Sequence, residues 1–175
     1  IFEHNNGTVE LGGAGANQSA YGYYPLSFYN LKITFGQSGT NRTLTMEDTG
    51  VFNVENTLTF DTQSAVATDR MIGHPTFKAS GNVVVNNLTP SNSSDGFTVE
   101  LVGTGPQTVT GTAGICIDNL NFNSTGAVTI AGDLGICQSI YYNQAASVTT
   151  TGSKLTVMGS VTSTNISTGP IVWNN

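Results

Sequence analysis

Two stretches of this chain, 90 positions apart, carry nearly the same sequence. The first is Gly7-Thr8-Val9-Glu10-Leu11, followed after a glycine-rich break by Phe28-Tyr29-Asn30-Leu31-Lys32-Ile33. The second is Phe97-Thr98-Val99-Glu100-Leu101, followed after a second such break by Ile117-Asp118-Asn119-Leu120-Asn121-Phe122. Because each unit of a repeat buries its apolar face against its neighbours, this pattern predicts stacking. We expect one domain of two repeats, about residues 7–96 and 97–175, that forms a scaffold rather than one catalytic pocket.

Short runs in which apolar residues alternate with Thr, Asn or Ser predict an all-β chain, and no convincing amphipathic helix is present. Such strands suit a solenoid or a β-sandwich of the jelly-roll or pilin type. The long repeat favours a solenoid with about four turns of roughly 20 residues in each repeat. The predicted strands are 8–11, 27–34, 43–46, 51–60, 82–88, 97–102, 107–110, 115–122, 127–130, 135–142, 146–150, 154–158, 160–164 and 170–173. The expected inward-facing residues are Val9, Leu11, Leu31, Ile33, Leu44, Met46, Val128 and Ile130.

The segment 63–79 fits the strand pattern poorly. It contains Asp69, Arg70, His74 and Pro75, a concentration of charged and turn-forming residues seen nowhere else in the chain. We therefore expect it to form a longer loop that leaves the solenoid.

Charged residues make up only 9% of the chain, against roughly 25% in ordinary globular domains. The net charge is −6, and the five basic residues are scattered. Nucleic-acid binding and attachment to an anionic membrane surface need clustered Lys and Arg. We therefore expect neither a nucleic acid nor an anionic membrane as a partner. No run reaches the ~18 apolar residues of a membrane-spanning helix, so we expect no membrane insertion.

Few lysines with abundant Thr, Ser and Asn are typical of a secreted protein, and we expect an extracellular or cell-surface location. The chain does not begin with Met, which we interpret as removal of a leader or as a fragment of a longer protein. Seven asparagines head N-glycosylation sequons, although an Asn- and Thr-rich chain also produces sequons by chance. These residues are Asn6, Asn17, Asn41, Asn87, Asn92, Asn123 and Asn165.

The two cysteines, Cys116 and Cys137, are 21 residues apart, which is close to one predicted turn. Residues one turn apart lie about 4.8 Å from each other, and disulfides join Cα atoms about 4.4–6.8 Å apart. The spacing therefore suits a disulfide between neighbouring turns. Two buried free thiols in a reducing compartment are the alternative, and the secreted composition favours the disulfide.

The segments 2–11 and 28–33, and likewise 99–111 and 118–122, resemble a repeat of large bacterial surface proteins. These are adhesin- or autotransporter-like proteins, frequent in Bacteroidetes-type genomes. The resemblance implies a right-handed parallel β-helix and a role on the cell surface. Its motifs are structural and transfer no catalytic residue, and both the cysteine pair and the segment 63–79 depart from it.

A carbohydrate-cleaving β-helix would need converging carboxylates. Only Glu47 and Asp48 are adjacent, and neighbouring strand residues face opposite sides; Asp69, Arg70 and His74 could gather in one loop. Two His and two Cys make a zinc site improbable, and no nucleophile or phosphate-loop motif is present. We expect no enzyme activity, metal or cofactor. The acids considered are Glu47, Asp48, Asp61, Asp69, Asp118 and Asp133.

The expected function is that of an extracellular structural protein, either a segment of an adhesin or stalk or the subunit of a self-assembling filament. A solenoid has open ends with unpaired backbone groups. Apolar termini predict homo-oligomers or filaments through end-to-end stacking or strand donation. The residues predicted to make these contacts are Ile1, Phe2, Ile171, Val172 and Trp173.

Two alternative functions stay open. A carbohydrate-binding or carbohydrate-active β-helix would stack surface glycans on exposed aromatic rings, for which packing under a loop or at a subunit contact is the competing interpretation. The aromatic candidates are Tyr21, Tyr23, Tyr24, Tyr141 and Tyr142.

An ice-binding solenoid would present ranks of Thr-x-Thr on a flat face. The chain has Thr-x-Thr at 43–45, 57–59, 108–110, 149–151 and 162–164. The intervals between them are uneven, at 14, 51, 41 and 13 positions. We therefore expect no rank with one motif per turn, and β-propensity explains most of these motifs.

Overall fold

A computed structural model describes residues 5–12, 18–20, 25–34, 43–46, 49–61, 70–87, 96–112, 116–145, 147–151, 155–163 and 171–172. Within these residues the secondary structure is entirely strand, turn and bend, with every strand pairing parallel. In this part of the chain no helix could cross a membrane. The strands are β1 Thr8–Gly12, β2 Gln18–Ala20, β3 Leu26–Thr34, β4 Thr43–Met46, β5 Val51–Asp61, β6 Arg70–Ile72, β7 Thr76–Ala79, β8 Asn82–Asn87, β9 Thr98–Leu101, β10 Gln107–Gly111, β11 Cys116–Asn123, β12 Ala127–Ala131, β13 Leu134–Gln144, β14 Ser147–Thr151, β15 Leu155–Val157, β16 Ser160–Ser163 and β17 Ile171–Val172.

The strands stack into a parallel β-solenoid whose turns visit three sides in a fixed order. The first side holds the starts of β3 and β5, then β7, β9, the ends of β11 and β13, and β16. The second side holds β1, the ends of β3 and β5, then β8, β10, β12, β14 and β17. The third place in each turn is taken by β2, β4, β6, the starts of β11 and β13, and β15. The predicted parallel β-helix is confirmed, and the antiparallel sandwich is excluded.

One turn of the solenoid takes between 19 and 27 residues, as the register pairs Cys116 with Gly135 and Leu44 with Met71. This range includes the predicted length of roughly 20. The two similar sequence stretches nevertheless occupy different sides, because Thr8–Gly12 lies on the second side and Thr98–Leu101 on the first. Both sides require the same alternation of inward apolar and outward polar residues. The division into two 90-residue repeats stays a prediction.

The prediction that 63–79 leaves the solenoid is wrong for residues 70–79. Strand β6 pairs with β4, and strand β7 pairs with both β5 and β9 in the middle of the first side. Met71 and Phe77 are buried in the core. Gly73, at φ 109°, and exposed His74 form the corner between the two strands. The polar and turn-forming residues thus mark a corner, while residues 62–69 lie outside the described part.

The core is a continuous column of inward-facing side chains. The predicted inward residues are confirmed, with Val9 and Leu11 partly buried at the first turn and the other six fully buried. Phenylalanine rings from both sides meet along the axis: Phe77 lies 5.5 Å from Phe52, 5.4 Å from Phe60 and 6.0 Å from Phe97 between ring centroids. Such ring pairs add packing energy beyond the apolar area they bury.

A buried glutamine ties adjacent turns together at the corner between the first and second sides. The Gln107 side chain donates hydrogen bonds to the carbonyl oxygens of Ala79 (2.9 Å) and Gly81 (2.7 Å), and it accepts one from the Gly103 N–H (3.0 Å). Gly81 has no room for a side chain, because a Cβ there would lie 1.8 Å from the Asn56 carbonyl oxygen. Gln107 thus adds side-chain hydrogen bonds to backbone groups of two neighbouring corners, including the Gly103 N–H and the Gly81 carbonyl.

Replacing Phe77 by Ala is expected to lower the free energy of unfolding by about 3–5 kcal/mol, because it removes a fully buried ring and leaves a cavity. Urea denaturation of the purified chain measures the loss. Thr76→Ala is the matched control, since Thr76 precedes Phe77 and faces outward, and we expect it to change stability by less than about 1 kcal/mol. Equal losses from both variants would contradict the described core.

Gln107→Met keeps the length of the side chain but removes its hydrogen bonds. We expect a loss of about 2–5 kcal/mol, because each buried polar group left without a partner costs about 1–3 kcal/mol. Gln144→Met, at an exposed position in β13, is the control and should be nearly neutral in the same denaturation experiment. A neutral Gln107→Met would show that water or a local shift replaces the bridge.

Candidate functional site

The outward surface of the second side is an array of threonines, which we call the threonine face. Strand register aligns the outward residues of β5, β8, β10, β12 and β14 into two files that run across the turns. Its residues are Thr57, Asn82, Thr108, Thr129 and Thr149 in one file, and Thr59, Val84, Thr110, Ala131 and Thr151 in the other.

Three of the five Thr-x-Thr motifs belong to this face, at 57–59, 108–110 and 149–151. The intervals of 51 and 41 residues between them are each two turns long, because β8 and β12 occupy the intervening turns. The expectation of no rank with one motif per turn is confirmed, because the three motifs take alternate turns of the same side. The motif at 43–45 lies in β4 of the third side, and Thr162 lies on the first side.

The outward surface of the first side has a different chemistry, in which polar side chains bond to one another between turns. Glu100 accepts a hydrogen bond from the Asn123 amide at 2.7 Å and lies 3.4 Å from the Lys78 ammonium. The Asn143 amide donates to Asn121 Oδ1 at 2.9 Å. Part of the hydrogen-bonding capacity of these groups is used between neighbouring turns, so they reinforce the stack.

Charged residues on the second side lie in β1, β3 and the end of β5, at the first edge of the threonine face. The Lys32 ammonium is 3.0 Å from Asp61 Oδ2, and Thr34 donates a hydrogen bond to Glu10 at 2.7 Å. The hydrogen bond with Asp61 raises the pKa of Lys32 above 10.5, aided by the negative charges of Asp61 and Glu10 and opposed by partial desolvation. Because a raised pKa favours the ammonium, this ion pair persists through the neutral range.

A disulfide joins Cys116 and Cys137 at the corner between the third and first sides. The Cα atoms are 5.7 Å apart and belong to neighbouring turns. Between them lies a register shift at Asp118, a buried residue whose carboxylate accepts the Phe97 N–H at 3.2 Å. The predicted inter-turn disulfide is therefore present, and Asp118 ties the same corner to the preceding turn.

The carboxylates considered for catalysis are dispersed where the structure describes them. Asp61 pairs with Lys32, Asp118 is buried at the disulfide corner, and Asp133 is exposed before β13. Glu47, Asp48 and Asp69 lie outside the described residues. Within the described part, no group of three or more His, Cys, Asp and Glu residues could hold a metal ion.

Only part of the sequon set falls within the described residues. Asn6 and Asn123 are exposed, and Asn87 ends strand β8. Exposure makes Asn6 and Asn123 accessible to a modifying enzyme, but glycosylation stays a prediction. Outside the described residues lie Asn17, Asn41, Asn92 and Asn165.

Of the aromatic candidates for sugar stacking, Tyr141 is 40% exposed on the first side. Tyr142 is not available, which corrects the prediction. It takes the inward position of its strand, packs against Phe122 with ring centroids 6.0 Å apart, and donates its hydroxyl to the Ala145 carbonyl at 3.1 Å. Tyr21, Tyr23 and Tyr24 lie outside the described residues.

Of the predicted assembly termini, Ile171 and Val172 form β17, which pairs with β14 in the last turn of the second side. Ile1, Phe2 and Trp173 lie outside the described residues. Sequence reasoning missed the threonine face and the Gln107 bridge. Part of the signal for the face was present, because the interval of 41 residues is close to twice the expected turn of roughly 20, whereas the interval of 51 consists of two longer turns.

No protein-family model, no curated protein and no solved structure matches this chain.

Reduction of the disulfide, or the double variant Cys116→Ser/Cys137→Ser, is expected to lower the free energy of unfolding by roughly 3 kcal/mol, because the unfolded chain regains the entropy of a loop of this size. Urea denaturation with and without reductant measures the change. The double variant is the control for reduction itself, since reductant should not affect it further. Unchanged stability of the reduced wild-type chain would contradict a structural role for the bridge.

Proposed function

We propose that the chain is a rigid segment of an extracellular surface protein, serving as part of an adhesin or stalk. The observation that carries this proposal is the unbroken parallel stack on the second side from β1 to β17. A solenoid is quasi-one-dimensional, so adding turns extends it without altering its cross-section. That property suits a spacer that holds a binding domain away from a surface.

The side-chain bonds between turns support a mechanical role, because they hold neighbouring turns together. Besides the backbone ladders, the Asn56 amide donates to Asn30 at 2.8 Å, and the Ser139 and Ser160 hydroxyls lie 3.0 Å apart. Each joins residues on neighbouring turns. With adjacent turns about 4.8 Å apart, the eight strands of the second side span about 34 Å, which is the rod length that this segment would contribute.

The disulfide and the composition support the extracellular location. Disulfides persist mainly in oxidising compartments, and Cys116–Cys137 closes the corner between two turns. The sequons Asn6 and Asn123 are exposed, as a glycosylated surface would need. Since the ends of a solenoid carry unpaired backbone groups, a filament in which copies join end to end is the second candidate.

Electron microscopy of the native protein, with antibody labelling of intact cells, tests the proposal. We expect labelling without permeabilisation and rods in which this segment accounts for about 34 Å, at 4.8 Å per turn. If the chain alone forms regular filaments, its proposed role changes from a stalk segment to the subunit of a filament. Labelling only after permeabilisation would contradict the extracellular role altogether.

A further inference from the structure

We propose that the threonine face binds the ordered water lattice of ice, an activity beyond the structural role. The face combines a fixed two-dimensional spacing, a side chain with one hydroxyl and one methyl group, and a lack of charge. Its central residues are Thr108, Thr110, Thr129 and Thr149.

The spacing of the face is set by the backbone. Adjacent turns place Thr108, Thr129 and Thr149 about 4.8 Å apart. Along a strand, Thr108 and Thr110 are two residues apart, or about 6.6–6.8 Å. The hydroxyl groups therefore form a regular two-dimensional array. A flexible loop could not hold such a lattice, whereas stacked strands over a packed core can.

Three central hydroxyl groups of the face are available to a ligand. Among the described residues, the hydroxyls of Thr108, Thr110 and Thr129 make no hydrogen bond within the chain. This contrasts with the first side, where Asn121, Asn143 and Glu100 are bonded to neighbouring turns. Each free hydroxyl can donate and accept, and the adjacent methyl groups restrict the orientations of first-shell water.

The composition of the face identifies an uncharged, periodic partner. Its residues are threonines with Asn82, Val84 and Ala131, and the ion pair Lys32–Asp61 lies at its first edge, with Asp61 in the same strand as Thr57 and Thr59. A polyanion or a phospholipid headgroup would need positive charge. A sugar ring would call for an aromatic platform, which these residues do not provide. Ordered water is neutral and repeats in two dimensions, as the face does.

The experiment measures incorporation of the fluorescently labelled full chain into a slowly growing ice hemisphere, together with inhibition of ice recrystallisation. The test variant is Thr108→Lys/Thr129→Lys, two residues in register on neighbouring turns of the face. The control is Thr76→Lys/Thr98→Lys, which are in register on neighbouring turns of the first side and add the same charge. Thr108→Val/Thr129→Val keeps the shape and methyl groups but removes the hydroxyls. Circular dichroism melting establishes that each variant is folded.

We expect the wild-type chain and the control to enter ice and the test variant to lose at least about tenfold in incorporation, equivalent to 1.4 kcal/mol. The valine variant should lose part of the ice incorporation. If the lysine variant fails to fold, the valine variant takes its place as the test of the proposal. Exclusion of the wild-type chain from ice would overturn the proposal. Equal losses in the test and control variants would also overturn it. So would a third outcome, in which the wild-type chain binds crystalline chitin but not ice and only the test variant loses the chitin binding.

Discussion

Parallel pairing of each turn with the next is the constraint on which the rest of this structure depends. It fixes the distance between turns at about 4.8 Å and forces each inward position to stack on its equivalent in the neighbouring turn. A side chain is therefore acceptable only if its shape suits the residues one turn before and after. Phe52 on Phe77 and Leu31 on Leu58 satisfy this condition. Groups that pairing cannot reach, at the corners, depend on Gln107, Asp118 and the disulfide.

The alternation of apolar and polar residues was sufficient to predict the strand content, because the inward positions of long strands such as β5 and β13 are apolar. The alternation suited a sandwich as well as a solenoid, and the long repeat was the feature that favoured the parallel stack. The pattern was insufficient where strands are short. Strands β2 and β6 have three residues each, too few to show a period of two. Around β6, the sequence at Gly73 and His74 was interpreted as part of a long loop. In the structure these two residues form only a corner, and Met71 and Phe77 on either side of it are buried in the core.

The candidate site was harder to predict than the fold, because its residues become neighbours only through the register. A turn that varies from 19 to 27 residues makes equally placed threonines look irregular along the chain. Thr108 lies two turns after Thr57, and Asn82 takes the same position in the turn between them. The disulfide was predictable because the two cysteines are separated by only one short turn, over which the variation in turn length has little effect.

The two outward surfaces of the solenoid differ in how their polar groups are used. On the first side, amides and charges bond between turns, so their polar groups resist separation of the stack but offer little to a ligand. On the second side, threonine meets the strand requirement through its branched Cβ and leaves its hydroxyl exposed. Stiffness supplied by one side and by the core keeps the lattice of the other side regular. For this reason a stalk segment and an ice-binding face are compatible in one chain, since recognition of a periodic surface requires the rigidity that a spacer already has.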